Sequence, residues 1–140
     1  MSIRTQGRTA LDTAGRAPDA ARERGRARTI GLWVLQGVLA VEFAMAGGMK
    51  LAGSSPMVDM FDDIGAGQWF RFVVGALEVA GAIGVLIPRL AWLAALGLAG
   101  VMAGAVVTTV FVLDANPAVP AVLLVVAALV ARARYRRRSV

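Results

Sequence analysis

The chain has 140 residues, of which 58 % are hydrophobic and 17 % charged, against roughly 45–50 % and 25 % in soluble domains. One soluble core of this length cannot hide so much apolar surface, which excludes an ordinary soluble domain. The formal charge of +6 does not indicate a nucleic-acid partner. Twelve of the 15 Lys and Arg residues lie in the two end segments, without the series of stacking aromatics that nucleic-acid binding needs.

Cysteine and histidine are both absent. That rules out a disulfide, a CxxC redox motif and a thiolate metal site. It also rules out haem or zinc held by histidine. No metal site is expected.

Residues 1–29 are rich in arginine, with Asp12, Asp19 and Glu23 as the acids and few large apolar side chains. Such a composition buries no core and predicts a disordered basic cytoplasmic tail. It serves as an orientation signal, or as an anchor on anionic lipid.

A first span follows over about Ile30 to Leu51. Its Ala44-Met45-Ala46 also fits a signal-peptidase site, but the basic region before it is long and Glu42 sits badly ahead of a cleavage point. Residues 52–68 carry turn chemistry in Gly53, Pro56, Gly65 and Gly67. Within them Met57, Met60, Phe61 and Ile64 fall at helical spacing opposite Asp59, Asp62 and Asp63, which predicts a short interfacial helix.

The second span covers about Trp69 to Ile87 and ends in the tight turn Pro88-Arg89. Leu90 to Leu113 is 24 residues without a charge, and Ala115 to Ala131 is 17 more. Apolar runs of about 18 or more residues read as membrane spans. The fourth span is short, and Arg132 and Arg134 extend it by snorkelling. The expected fold is an all-α integral membrane four-helix bundle over residues 30–131, followed by a basic cytoplasmic tail over 132–140. The arginine-rich segments and Arg89 fall on one side, which predicts an N-in/C-in topology in the inner membrane.

Small residues suggest where the spans pack. Gly97, Gly100, Gly104 and Thr108 line one stripe of the third span. Ala40, Ala44 and Gly48 line one on the first, and Gly81, Ala82 and Val85 lie on the Glu78 side of the second. Such stripes let helix backbones approach closely.

Ionisable residues inside a span are costly and call for a reason. Glu42 and Glu78 both lie nine residues from the outer ends of their spans, so antiparallel packing brings two acids to one level. Lys50 and Arg71 sit at the outer edge, where basic residues are otherwise absent. Arg71 and Glu78 are seven apart on one helical face, which suggests a pair. Lys50 has Glu42, Asp59, Asp62 and Asp63 within reach, and the roles expected are Glu78 as the central acid, Arg71 and Lys50 as its counter-charges and Glu42 as a second acid. One reading is an outward-opening polar pocket of Glu42, Lys50, Arg71 and Glu78, with Gln36, Trp69, Thr108 and Thr109 as neighbours. The other is a structural lattice that sets helix register. Trp33, Trp69 and Trp92 stand near span ends, as interfacial aromatics do.

Phe43-Ala-Met-Ala-Gly47-Gly-Met-Lys50-Leu51, then Gly75-Ala-Leu-Glu78-Val-Ala-Gly81 with Pro88, then a Gly/Ala-rich third span, together resemble the DoxX and DoxX-like family. The resemblance covers about residues 30 to 131. It implies a four-helix membrane unit with a G-x-x-K-L end to the first span and a G-x-x-E second span, which places the family's lysine at Lys50 and its glutamate at Glu78. Many members carry a histidine late in the third span, where this chain reads Val107-Thr108-Thr109. Some relatives are membrane subunits of thiosulfate:quinone oxidoreductases. Others resemble anchors assembled with redox enzymes in oxidative-stress defence.

The expectation is therefore a subunit or scaffold of a membrane redox complex, not catalytic alone, with a quinone or lipid pocket. Its expected partners are the bilayer, redox enzymes and further copies of itself. Two alternatives compete: a small proton-coupled four-span exporter with Glu42 as its proton site, and a purely structural anchor.

Overall fold

The computed structural model describes the backbone of residues 3–138 and side chains over residues 19–137. Among the described residues there are five helices and no strand: α1 (Ile3–Ala52), α2 (Ser55–Ile64), α3 (Gln68–Leu86), α4 (Ala91–Phe111) and α5 (Ala118–Arg138). Asp19–Ala52, Gln68–Leu86, Ala91–Phe111 and Ala118–Arg137 are each long and apolar enough to cross a membrane. The chain is thus an all-α, multi-pass membrane protein.

Two boundaries differ from the sequence expectation. The backbone of α1 is helical through the arginine-rich segment. Ala20, Ala21, Arg22, Glu23 and Arg24 are good helix formers, and the side chains of residues 21–28 are exposed. Likewise α5 does not stop at Ala131 but continues to Arg138, since nothing in Arg132-Ala-Arg-Tyr-Arg breaks a helix. The first two residues and the last two of the expected tails lie outside the described residues.

The chain divides between Val34 and Leu35. Within the larger unit, α1 from Leu35 onward packs against α3 and α5, and α4 packs against α3 and α5. Gln36, Leu39, Ala40, Phe43, Gly47 and Lys50 form the buried stripe of α1. Their three- and four-residue spacing keeps one face inward.

The tightest helix contact is between α1 and α3. A Cβ placed on Gly47 would lie 2.7 Å from the Gly75 carbonyl oxygen and 2.8 Å from Val79 Cγ2. Both positions must be glycine for the backbones to come so near. On the other side of α3, Gly81 receives Leu98, and a Cβ on Gly84 would lie 2.8 Å from that of Ala94. The glycine stripe of α4 does not pack as expected. Cβ atoms on Gly97, Gly100 or Gly104 would meet nothing within 4 Å, because α4 turns Ala91, Ala95, Leu98, Ala99 and Met102 inward instead. Ala44 is exposed and Gly48 is open, whereas Ala40 is buried.

The short helix α2 forms where its apolar spacing predicts it. Pro56 stands in its first turn and Gly65 ends it in the left-handed conformation, φ 73°. Pro at a helix start and Gly past its end are the residues those positions favour. Phe61 is buried and the three aspartates are exposed.

Candidate functional site

The helix crossing determines what Lys50 and Glu78 can reach. Lys50 lies three residues beyond Gly47 on α1, and Glu78 three beyond Gly75 on α3. The two helices run antiparallel, so these residues leave the crossing in opposite directions. Helical side chains lean toward their own N-terminus. Lys50 and Glu78 therefore lean back toward the crossing and toward each other. Lys50 Nζ donates to both carboxylate oxygens, at 2.8 and 3.1 Å, and both residues are buried. A bidentate, paired geometry is what makes two buried charges tolerable.

Arg71 does not pair with Glu78. It is buried, and no carboxylate lies within 4.0 Å of it among the described residues. Its Nη1 donates to the Lys50 carbonyl, and its Nε donates to Gln68 Oε1 at 2.7 Å. The Lys50 carbonyl belongs to the end of α1. There Gly53 (φ 70°) donates to Lys50 O at 3.3 Å and Ser54 to Met49 O at 3.2 Å. This is the Schellman closure of a helix, and a cation at its negative end adds to it. Proximity along one helix face suggested the wrong partner, because the long guanidinium reaches across to the neighbouring helix end.

Gln68 has no place in the sequence-based list, yet it joins three elements. Its Nε2 donates to Val58 O at 3.0 Å and to Asp62 Oδ1 at 2.6 Å, while its Oε1 accepts from Arg71. The Asp62–Gln68–Arg71–Lys50 chain fastens α2 to the ends of α1 and α3. Its only sequence signal was a polar residue opening a span beside an aspartate-rich helix.

Beneath α2 lies a cavity of about 490 Å³. Phe43, Lys50, Glu78 and Met102 form its buried wall, and Met57, Met60, Phe61 and Ile64 of α2 cover it. Gly100, Gly104, Thr108 and Thr109 of α4, with Val119 and Pro120, complete it. Gly100 and Gly104 thus widen this hollow rather than seat another helix. Ligand sites are commonly apolar hollows of roughly 300–1,000 Å³ with few polar groups, and the ion pair supplies those groups here. Thr108 Oγ1 donates to Gly104 O at 3.0 Å within its own helix.

The remaining candidates stand elsewhere. Glu42 is exposed and does not line the cavity, so the midplane acid pair does not form. Glu42 falls off the buried stripe of its helix. Trp69 is 66 % exposed and meets Phe70 edge-on at 5.8 Å. Gln36 is fully buried at the opposite end of α3. It donates to the Val85 carbonyl and accepts from Arg134 Nε at 3.0 Å, which ties α1, α3 and α5 together. Nearby, the rings of Trp92 and Tyr135 meet at a tilt of 59° with centres 5.7 Å apart.

A family model described as the DoxX-like family matches residues 34–130, a range that includes the ion pair and every residue lining the cavity. No curated protein and no solved structure matches the chain.

Proposed function

The chain belongs to the DoxX-like family, and on that premise we propose that it is a membrane subunit or scaffold of a redox or oxidative-stress complex whose cavity takes a quinone or a lipid. The observation that carries the binding reading is the apolar cavity of about 490 Å³ with the Lys50–Glu78 pair in its wall. A quinone head is flat and apolar, and presents two carbonyl acceptors. The Lys50 ammonium has three donors, and its contacts to Glu78 fix its position in the wall. A ligand carbonyl would take a further donor from it, with the Thr109 hydroxyl on the facing wall. The flexible thioethers of Met57, Met60 and Met102 would adapt to the ring.

The redox assignment rests on resemblance to relatives of that family. Among the described residues no acid, base and acceptor set makes up a complete catalytic constellation, and in this reading partner enzymes carry the electron-transfer centres. The basic segments and Arg89 would face the cytoplasm, giving N-in/C-in in the inner membrane. Glu42 lies away from the cavity, which counts against a proton-coupled exporter that uses it as the substrate site.

Photolabelling tests the site. The full chain in nanodiscs would be irradiated with a quinone bearing a photoreactive group on its ring. Labelled peptides from α2 and from residues 100–109, competed away by unmodified quinone, support the proposal. Labelling spread over lipid-facing positions such as Leu96 and Val122 would refute it.

A further inference from the structure

The exposed face of α1 carries a seam that no other described residue covers. Leu35, Val38, Met45 and Met49 are 39, 53, 60 and 46 % exposed, and Glu42 stands exposed among them. The positions 35, 38, 42, 45 and 49 alternate by three and four, the spacing of a coiled-coil seam. A carboxyl group open to hydrocarbon is strongly disfavoured and needs a partner. Among the described residues no cation pairs with it, Lys50 being committed to Glu78 and Arg71 to the end of α1.

We propose that a second copy of this chain covers the seam, α1 against α1, with the two Glu42 carboxyl groups meeting across a two-fold axis. Two copies inserted with one topology pack these helices in parallel, and in a parallel seam each position faces its own copy. A carboxyl group complements itself: one member of the pair donates its proton and the other accepts. The polar pair thus sets register in an otherwise apolar seam, where Met45 and Met49 fill the space above it. A Cβ on Gly48, beside Met49, would meet nothing within 4 Å, so that flank of the seam is open to a close helix.

The absence of cysteine makes the test direct. The full chain carrying Val38→Cys or Met45→Cys would be reconstituted at low protein-to-lipid ratio and oxidised. Val122→Cys and Leu96→Cys serve as exposed reporters on other helices. The seam reporters are expected to form disulfide-linked dimers about tenfold faster than these controls. Glu42→Ala is expected to lower the seam cross-linking about tenfold, the scale of one interhelical hydrogen bond, and Glu42→Gln to keep it. Equal rates at seam and control positions, a chain monomeric at every lipid ratio, or seam cross-linking unaffected by Glu42→Ala would each overturn the proposal.

Discussion

Gly47 and Gly75 bring the backbones of α1 and α3 together, and a Cβ on Gly75 would lie 3.0 Å from both the Gly47 carbonyl oxygen and Lys50 Cβ. The G-x-x-K and G-x-x-E segments are therefore one geometric device. Each glycine sets the crossing, and the charged residue three positions later leans back to meet its counterpart. Gly47→Ala and Gly75→Ala are expected to overpack this contact and cost about 1–3 kcal/mol. Gly97→Ala and Gly104→Ala, where a Cβ meets nothing, should be neutral or stabilise by up to about 1 kcal/mol. Unfolding titrations in mixed micelles would separate the two groups. Equal losses at all four positions would show that the crossing is not where the close packing lies.

The Lys50–Glu78 pair is buried at 2.8 Å, so removing one partner strands a charge. Lys50→Met and Glu78→Gln are each expected to destabilise the bundle by roughly 3–5 kcal/mol. The double substitution Lys50→Met/Glu78→Met should recover most of that loss, since well-packed apolar replacements of a buried pair are often neutral. The same unfolding titration reads it, and additive losses in the double variant would argue against a coupled pair.

How much of this was legible in the sequence differs from residue to residue. The spans and α2 could be read because their signals are local: charge-free runs, Pro88-Arg89, and the spacing of Met57, Met60, Phe61 and Ile64. The importance of Lys50 and Glu78 was also legible, since charges inside apolar runs need a reason. Their pairing was legible in part: both Lys50 and Arg71 were expected as counter-charges of Glu78, and only Lys50 meets it. Which cation takes the carboxylate depends on which residues of two helices share a crossing, and separation along one helix had added Arg71. Glu42 shows the same limit. Its azimuth depended on recognising that Gln36, Leu39, Phe43, Gly47 and Lys50 define the buried face.

Gln68 holds α2 over the cavity through Val58, Asp62 and Arg71. Gln68→Leu removes all three bonds and is expected to loosen α2 without unfolding the bundle, at a cost of about 1–3 kcal/mol for the donors and acceptors left unpaired. Hydrogen exchange of residues 55–64 should rise at least tenfold while that of residues 75–85 stays unchanged. Unaltered exchange in α2 would show that apolar contacts such as Phe61 with Phe70, 5.9 Å apart, hold it by themselves.

At the other end of α3, Gln36 both donates to Val85 and accepts from Arg134. Gln36→Leu leaves a buried carbonyl and part of a guanidinium without this partner, and is expected to cost about 1–3 kcal/mol. Gln36→Glu keeps the acceptor for Arg134 but loses the donor to Val85. It should fall between wild type and Gln36→Leu in thermal unfolding, and a Glu variant less stable than Leu would contradict the two-sided role.

The central claim is that the ion pair makes the apolar cavity a binding site and not merely a brace. Its most direct test is equilibrium binding of a short-tailed quinone to the full chain in nanodiscs, wild type against the folded Lys50→Met/Glu78→Met variant. Saturable binding of one quinone per chain is expected in the wild type, weakened about tenfold in the variant by loss of a charged hydrogen-bond donor. Unsaturable partitioning of equal extent in both proteins would contradict the account and leave Lys50 and Glu78 as structural ties.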